Sequence, residues 1–102
     1  MKTAKTNKVI IRSDRAGVFY GELKSQTPMG DKLLVEMVNC RRLWYWSGAA
    51  SLSQLAMEGV AHPEDCKFTV AVPLITIVGV IEIVPCTANA SENIEAVKIW
   101  KI

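Results

Sequence analysis

The sequence predicts an α+β fold dominated by β-structure: a compact small barrel or a strongly bent antiparallel sheet of five to six strands, with two short helices. Three observations predict it. β-branched and aromatic residues recur with a period of two along much of the chain of 102 residues. Clusters of turn-forming residues interrupt those runs at short intervals. Only two stretches carry helix-start signals, and each has room for a short helix. Residues 1–8 read as a basic flexible N-terminal arm and residues 9–102 as a single β-rich domain.

Val9-Ile10-Ile11-Arg12 reads as the first strand. Ser13 to Gly17 supplies a turn, and Val18 to Leu23 resumes the β pattern, so the two form a hairpin. Gly21 inside the second strand marks a bulge or a close backbone approach. Ser25 to Asp31, with Thr27-Pro28 and Gly30-Asp31, reads as a further turn. Lys32 to Trp46 is the longest strand candidate. Its odd positions (Leu33, Val35, Met37, then Arg41, Leu43 and Tyr45) read as the core side. Glu36 assigns the even positions, with Arg42, Trp44 and Trp46, to the wetter face unless a bulge intervenes.

Ser51-x-x-Gln54 is a capping-box pattern that opens a helix of about two turns, with Gly59 as its stop. Lys67 to Val72 alternates as a half-buried strand that Pro73 ends or bends. Ile75 to Val84 is apolar on both faces, which suits a central strand or one buried in an oligomer, and Pro85 closes it. Asn89-x-x-Glu92 offers a cap for a second short helix. Lys98 to Ile102 reads as a terminal strand, with Trp100 docked into the core or an interface.

Half the residues are hydrophobic and the formal net charge is only +2, so composition alone does not call for nucleic acid. The basic residues gather early, with Lys2, Lys5, Lys8, Arg12 and Arg15 opposed only by Asp14. Cys40, Cys66 and Cys86 are far apart, which fits a reducing compartment and neither a disulfide framework nor a zinc site. No apolar segment follows Met1-Lys2 as a signal peptide would, and the apolar run from Val70 to Ile81 is too short to span a bilayer. The expected location is cytoplasmic, without membrane attachment.

Catalytic and metal-binding patterns are not found, and no cofactor is called for. His62, the only histidine, precedes Pro63 in a loop and reads as a solvated side chain. The carboxylates form no paired motif. Cys40 precedes two arginines whose charge would lower its pKa, but its place in the strand alternation reads as packing. The expectation is a binding protein, not an enzyme. Arg41, Arg42, Trp44, Tyr45 and Trp46 combine planar cations with large rings, a set that stacks bases and holds phosphates. Ser51 and Gln54 stand at the following helix start, where amide donors favour an anion. Because strand faces alternate, Arg41 and Arg42 serve one pocket only across a bulge or a subunit boundary. That implies a homo-oligomer, a dimer or tetramer.

The run from Arg41 to Ala56, RRLWYWSGAASLSQLA, resembles the signature of a small phage and prophage protein family of uncharacterised function. Gly59-Val60, Pro63, Cys66 to Val70, Val80 to Ile83 with Pro85, and Val97-x-x-Trp100 extend the resemblance. It implies a phage origin and the cytoplasm of an infected bacterial cell. At the level of class, the chain is similar to phage proteins that sequester nucleotide signals. The function expected from this is sequestration of a cyclic oligonucleotide immune signal, which evades host antiphage defence. Binding of single-stranded nucleic acid is one alternative. A phage structural or inhibitor module anchored by its tryptophans is the other.

Overall fold

Val9 and Ile11 point to one side of the first strand and Ile10 to the other, and all three are buried. A strand dry on both sides needs material over each face of its sheet, and that requirement shapes the fold. The computed structural model describes residues 7–102. The expected basic arm, residues 1–8, falls mostly outside them, while Lys8 already belongs to the first strand.

Six strands form the sheet: β1 (Lys8–Ser13), β2 (Gly17–Met29), β3 (Lys32–Tyr45), β4 (Lys67–Phe68), β5 (Val72–Val78) and β6 (Val80–Pro85). Helix α1 (Leu52–Glu58) lies between β3 and β4, and α2 (Ala88–Ala96) follows β6. The strand order is β4-β3-β2-β1-β6, with β5 also paired to β3 and every pairing antiparallel. One edge of β3 is therefore shared. Leu34 to Cys40 pair with β5, and Leu43 and Tyr45 pair with β4.

The sheet bends strongly without closing. β5 and β6 are separated only by Gly79, yet β5 pairs with β3 and β6 pairs with β1. Gly79 turns the chain at φ +79°, and an added Cβ would lie 2.5 Å from the Asp14 carboxylate. Its N–H donates to Leu33 O and its carbonyl accepts from Asp14 N, which ties the corner to both ends of the sheet.

Two cores follow. On the concave side Val9, Ile11, Phe19, Val35, Met37, Cys40, Ile77 and Val80 pack together. On the other side Ile10, Tyr20, Leu43 and Phe68 meet Leu55, Ala56 and Ile94 of the two helices. The helices are fastened to each other by polar groups. Thr87 Oγ1 accepts from Ala90 N at the start of α2 and donates to Met57 O near the end of α1. Asn93 makes paired bonds to the amide and carbonyl of Val60.

The expected first hairpin, the long third strand, the capped helix ending at Gly59 and the close of β6 at Pro85 are all observed. Several boundaries differ. Ser25 to Met29 continue β2, and the turn is confined to Gly30-Asp31; Pro28 is tolerated because this part of β2 is a sheet edge. Strand β4 ends at Phe68, and Pro73 lies inside β5. The Ile75–Val84 run is two strands, not one, because Gly79 bends it. Thr87, not Asn89, caps α2. Lys98 to Ile102 is not a strand; only Ile99 makes a bridge, parallel to Phe68.

Candidate functional site

The decisive local feature is a bulge between β2 and β3. Tyr20 pairs with Arg41 and Glu22 with Val38, so Gly21 alone opposes Asn39 and Cys40. Asn39 adopts φ 50°, a left-handed conformation that asparagine tolerates better than most residues. Gly21 is needed for space, since an added Cβ would come within 2.9 Å of Cys40 Cα. The extra residue reverses the strand's parity. Cys40 joins Val35 and Met37 in the concave core, whereas Leu43 belongs to the helix-side core. The odd positions of β3 therefore do not form one continuous core face.

Arg41 goes with Leu43. It is 6% exposed, and it donates from Nε to Thr69 O at 2.8 Å, from Nη1 to Ile94 O at 2.8 Å and from Nη2 to Phe68 O at 3.1 Å. These bonds lash β4 and the end of α2 to the sheet, where the negative end of the helix dipole favours a cation. Burial pulls its pKa below the usual arginine value.

Arg42 is exposed on the opposite face. Its guanidinium lies 4.5 Å from the Phe19 ring centroid, and Nη1 donates to Ala16 O at 2.6 Å. With Arg15, Trp44 and Trp46 it lines a groove of about 520 Å³ whose lining contains no carboxylate. Trp44 is 61% exposed and stacks on Trp100 at a centroid distance of 5.4 Å and an interplanar angle of 22°. Lys67 Nζ lies 5.2 Å from the Trp44 ring and 5.5 Å from that of Trp100. Lys67 thus stands beside both stacked rings, and Trp44 links them to the groove of Arg15 and Arg42.

The remaining residues singled out in the sequence are distributed around this face. Tyr45, expected on the core side, is exposed, and Trp46, expected on the wetter face, is half-buried against the helix-side core, because the pairing with β4 shifts register between Leu43 and Tyr45. Ser51 and Gln54 are spent on α1 itself: Gln54 N donates to Ser51 Oγ at 3.1 Å and Ala50 N to Gln54 Oε1 at 2.8 Å. Arg41 is thereby separated from Arg42, and Ser51 and Gln54 act as caps.

A second concavity, of about 360 Å³, lies at the bulge and is lined by Lys8, Tyr20, Glu22, Asn39, Arg41 and Glu95 among others. Tyr20 Oη donates to Glu95 Oε2 at 2.5 Å, and Lys8 Nζ pairs with the same oxygen at 2.7 Å. Desolvation opposes ionisation of Glu95, but the bonds from Lys8 and Tyr20 outweigh it and hold the carboxyl below its ordinary value. Here two cations face two carboxylates. The charges balance within the wall, unlike those of the Trp44 groove.

The thiols offer no nucleophile on either side. Burial pushes Cys40 up to about 12 despite the nearby Arg42 charge, and it pushes Cys86, with Glu95 adding to the effect, up to about 12. Burial raises Cys66 as well. Among the described residues no group of three or more His, Cys, Asp or Glu side chains is placed to hold a metal ion.

The family described as Domain of unknown function (DUF6948) matches residues 6–94. The chain belongs to this family. No curated protein and no solved structure matches it. The DUF6948 match spans Arg15, Arg42, Trp44 and Lys67 and stops before Glu95 and Trp100, so one ring of the aromatic stack lies beyond the matched segment. In this DUF6948 chain, sequence reasoning missed Lys67, Arg15 and Trp100 as members of the face. Trp100 had a legible signal, an aromatic residue flanked by Lys98 and Lys101. Lys67 had none, because only the pairing of Tyr45 with Lys67 brings it to Trp44.

No described helix is long and apolar enough to cross a membrane.

Proposed function

We propose that this chain is a non-enzymatic binding protein for single-stranded nucleic acid. One observation carries the reading: exposed Trp44, stacked on Trp100 and close to Lys67, lines a groove that presents Arg15 and Arg42 without any carboxylate. Stacking rings bind the planar face of a base, and the adjoining cations bind its phosphates. Such a face is open along the surface, which suits a strand that enters and leaves.

Three cations define the expected salt response. Each phosphate contact to a single strand contributes a slope of about −0.7 in log affinity against log salt. Arg15, Arg42 and Lys67 together would give about −2, or roughly a twentyfold loss of affinity between about 50 and 200 mM salt. Tryptophan fluorescence quenching by an oligothymidylate at the two salt concentrations measures this directly. Absence of quenching at the lower concentration would overturn the reading.

A second reading is sequestration of a cyclic oligonucleotide in the cytoplasm of a phage-infected bacterium. It is favoured by one specific observation, the exposed apolar edge of β5, because a second subunit can turn an open groove into an enclosed one. Calorimetry against cyclic di- and trinucleotides distinguishes the two. An enclosed site gives heat with the cyclic ligand and none with the oligothymidylate.

A further inference from the structure

From Phe68 to Ile81 the chain carries no ionisable side chain. Within that stretch β5 is the end of its sheet, because its only strand partner is β3. Soluble proteins ordinarily guard such an edge with charges, bulges or a covering element. Apart from Pro73, β5 has none of these. Among the described residues, the hydrogen bonds that its segment makes to anything but β3 are confined to its end: Ser13 Oγ donates to Val78 O at 3.0 Å, and Asp14 N donates to Gly79 O. Among the described residues, the free edge of Val72 to Ile77 has no partner.

The side chains point the same way. Ile75 and Ile77 turn inward, while Val72, Leu74, Thr76 and Val78 turn outward and are exposed, Leu74 by 50%. Val70 and Ile81 extend the apolar surface at either end, at 46% and 63% exposure. On β3, half-buried Leu34 and Val38 sit opposite Val78 and Leu74 and widen the same face.

The occupant is indicated by the composition of this strand. Val72-Pro73-Leu74-Ile75-Thr76-Ile77-Val78 carries no charge and is apolar at every position but Thr76, so nothing in it opposes a second copy of itself. A second copy laid antiparallel about Ile75 sets Val72 against Val78 and Leu74 against Thr76, and then the same pairs in reverse. Such two-fold pairing is isologous, as closed dimers require. It places no charge opposite another charge, and it supplies the missing backbone bonds while covering the apolar stripe. We infer that β5 is a homodimerisation strand, through which two sheets join edge to edge across a two-fold axis. This inference does not rest on the ligand proposed for the Trp44 groove.

Sedimentation equilibrium tests it. The wild-type chain is expected at twice the monomer mass of 11.3 kDa. Leu74→Lys with Thr76→Lys sets lysines opposite each other in the proposed register without altering either core, and the dimer dissociation constant should rise at least tenfold. A wild-type chain that stays at 11.3 kDa at all concentrations overturns the inference, as does a folded double variant that dimerises with unchanged affinity. Should the double variant fail to fold, amide exchange of the wild type decides. Protection of Val72 to Ile77 that rises with protein concentration supports the dimer, and protection independent of concentration overturns it.

Discussion

Arg41 and Arg42 are consecutive in the chain and identical in chemistry, yet they occupy opposite environments. Arg41 is walled in by the helix-side core, with three backbone carbonyls on its guanidinium. Arg42 rests one face on Phe19, donates one bond to Ala16 O and is otherwise open to solvent beside Trp44 and Trp46. Residue type does not separate them. The parity of the strand does, and the bulge at Gly21 and Asn39 sets that parity. Each arginine also heads a concavity of distinct character. The one at Arg41 has balanced charges locked in mutual bonds, which makes it a joint between β1, β2 and α2. The one at Arg42 has cations and rings without counter-charges, which makes it a surface that lacks its complement.

Truncating the two arginines in parallel is the strongest way to break this contrast. Arg41→Ala should cost about 3 kcal/mol, because three buried carbonyls lose their donors. For a domain of this size that lowers Tm by roughly 15 °C. Arg42→Ala should change stability by no more than about 1 kcal/mol. Calorimetric melts of both variants check this, and equal losses would erase the distinction. Gly21→Ala comes next. Its methyl group would press on Cys40, so a loss of about 2 kcal/mol is expected in urea titrations. A neutral result would show that the bulge relaxes freely and does not fix the parity.

The third test moves to the open face. Trp44→Ala should leave stability within about 1 kcal/mol of wild type. It should weaken oligonucleotide binding by about 1–3 kcal/mol, roughly 5- to 150-fold, as read by anisotropy of a labelled oligonucleotide. Unchanged affinity would remove the ring stack from the site. The smallest effect concerns the Lys8–Glu95–Tyr20 cluster. Desolvation opposes ionisation of Glu95, but the bonds from Lys8 and Tyr20 hold its pKa below the ordinary carboxylate value. Its contribution to stability is therefore present above the unfolded value and is lost as pH falls through the lower folded one. Comparing acid titrations of wild type and Glu95→Gln isolates that loss. A difference that persists unchanged to the lowest pH would exclude the linkage.

Much of the fold was legible because periodicity reports burial directly. The long β3 run, the Ser51 cap, the Gly59 stop and the break at Pro85 follow from patterns of neighbouring residues. What failed to show were features decided by distant partners. Gly21 announced a bulge, but the residue displaced by it is Asn39 on the facing strand, and nothing near Asn39 signals that. Val78-Gly79-Val80 reads as an unbroken apolar run, since the bend there is enforced by pairing to β1 and β3 at once. The site was half legible for the same reason. Trp44 and Arg42 stood out by composition, whereas Lys67 and Trp100 reach them only through the β3–β4 pairing and the tail that follows α2. The alternation of strand faces already set Arg41 on the core side and Arg42 on the wetter face, but the three carbonyls that hold Arg41 come from distant segments and left no local sign.

The corner at Gly79 also bears on how the chain acquires its shape. Strands β1, β2 and β3 are joined by tight turns and can assemble as a local meander. The outer edge of β1, in contrast, must wait for β6, whose residues lie some seventy positions further along, with Val9 pairing to Pro85. Loop-closure entropy delays such a contact until most of the chain has collapsed. We therefore expect β6 to dock late in refolding, in the millisecond-to-second range typical of sheets with distant pairings. Until it docks, the β1 rim of the meander stays exposed to other chains. Crowded synthesis would be hazardous in that interval, and pulse-labelled amide exchange during refolding would reveal it as late protection confined to Val80 to Val84.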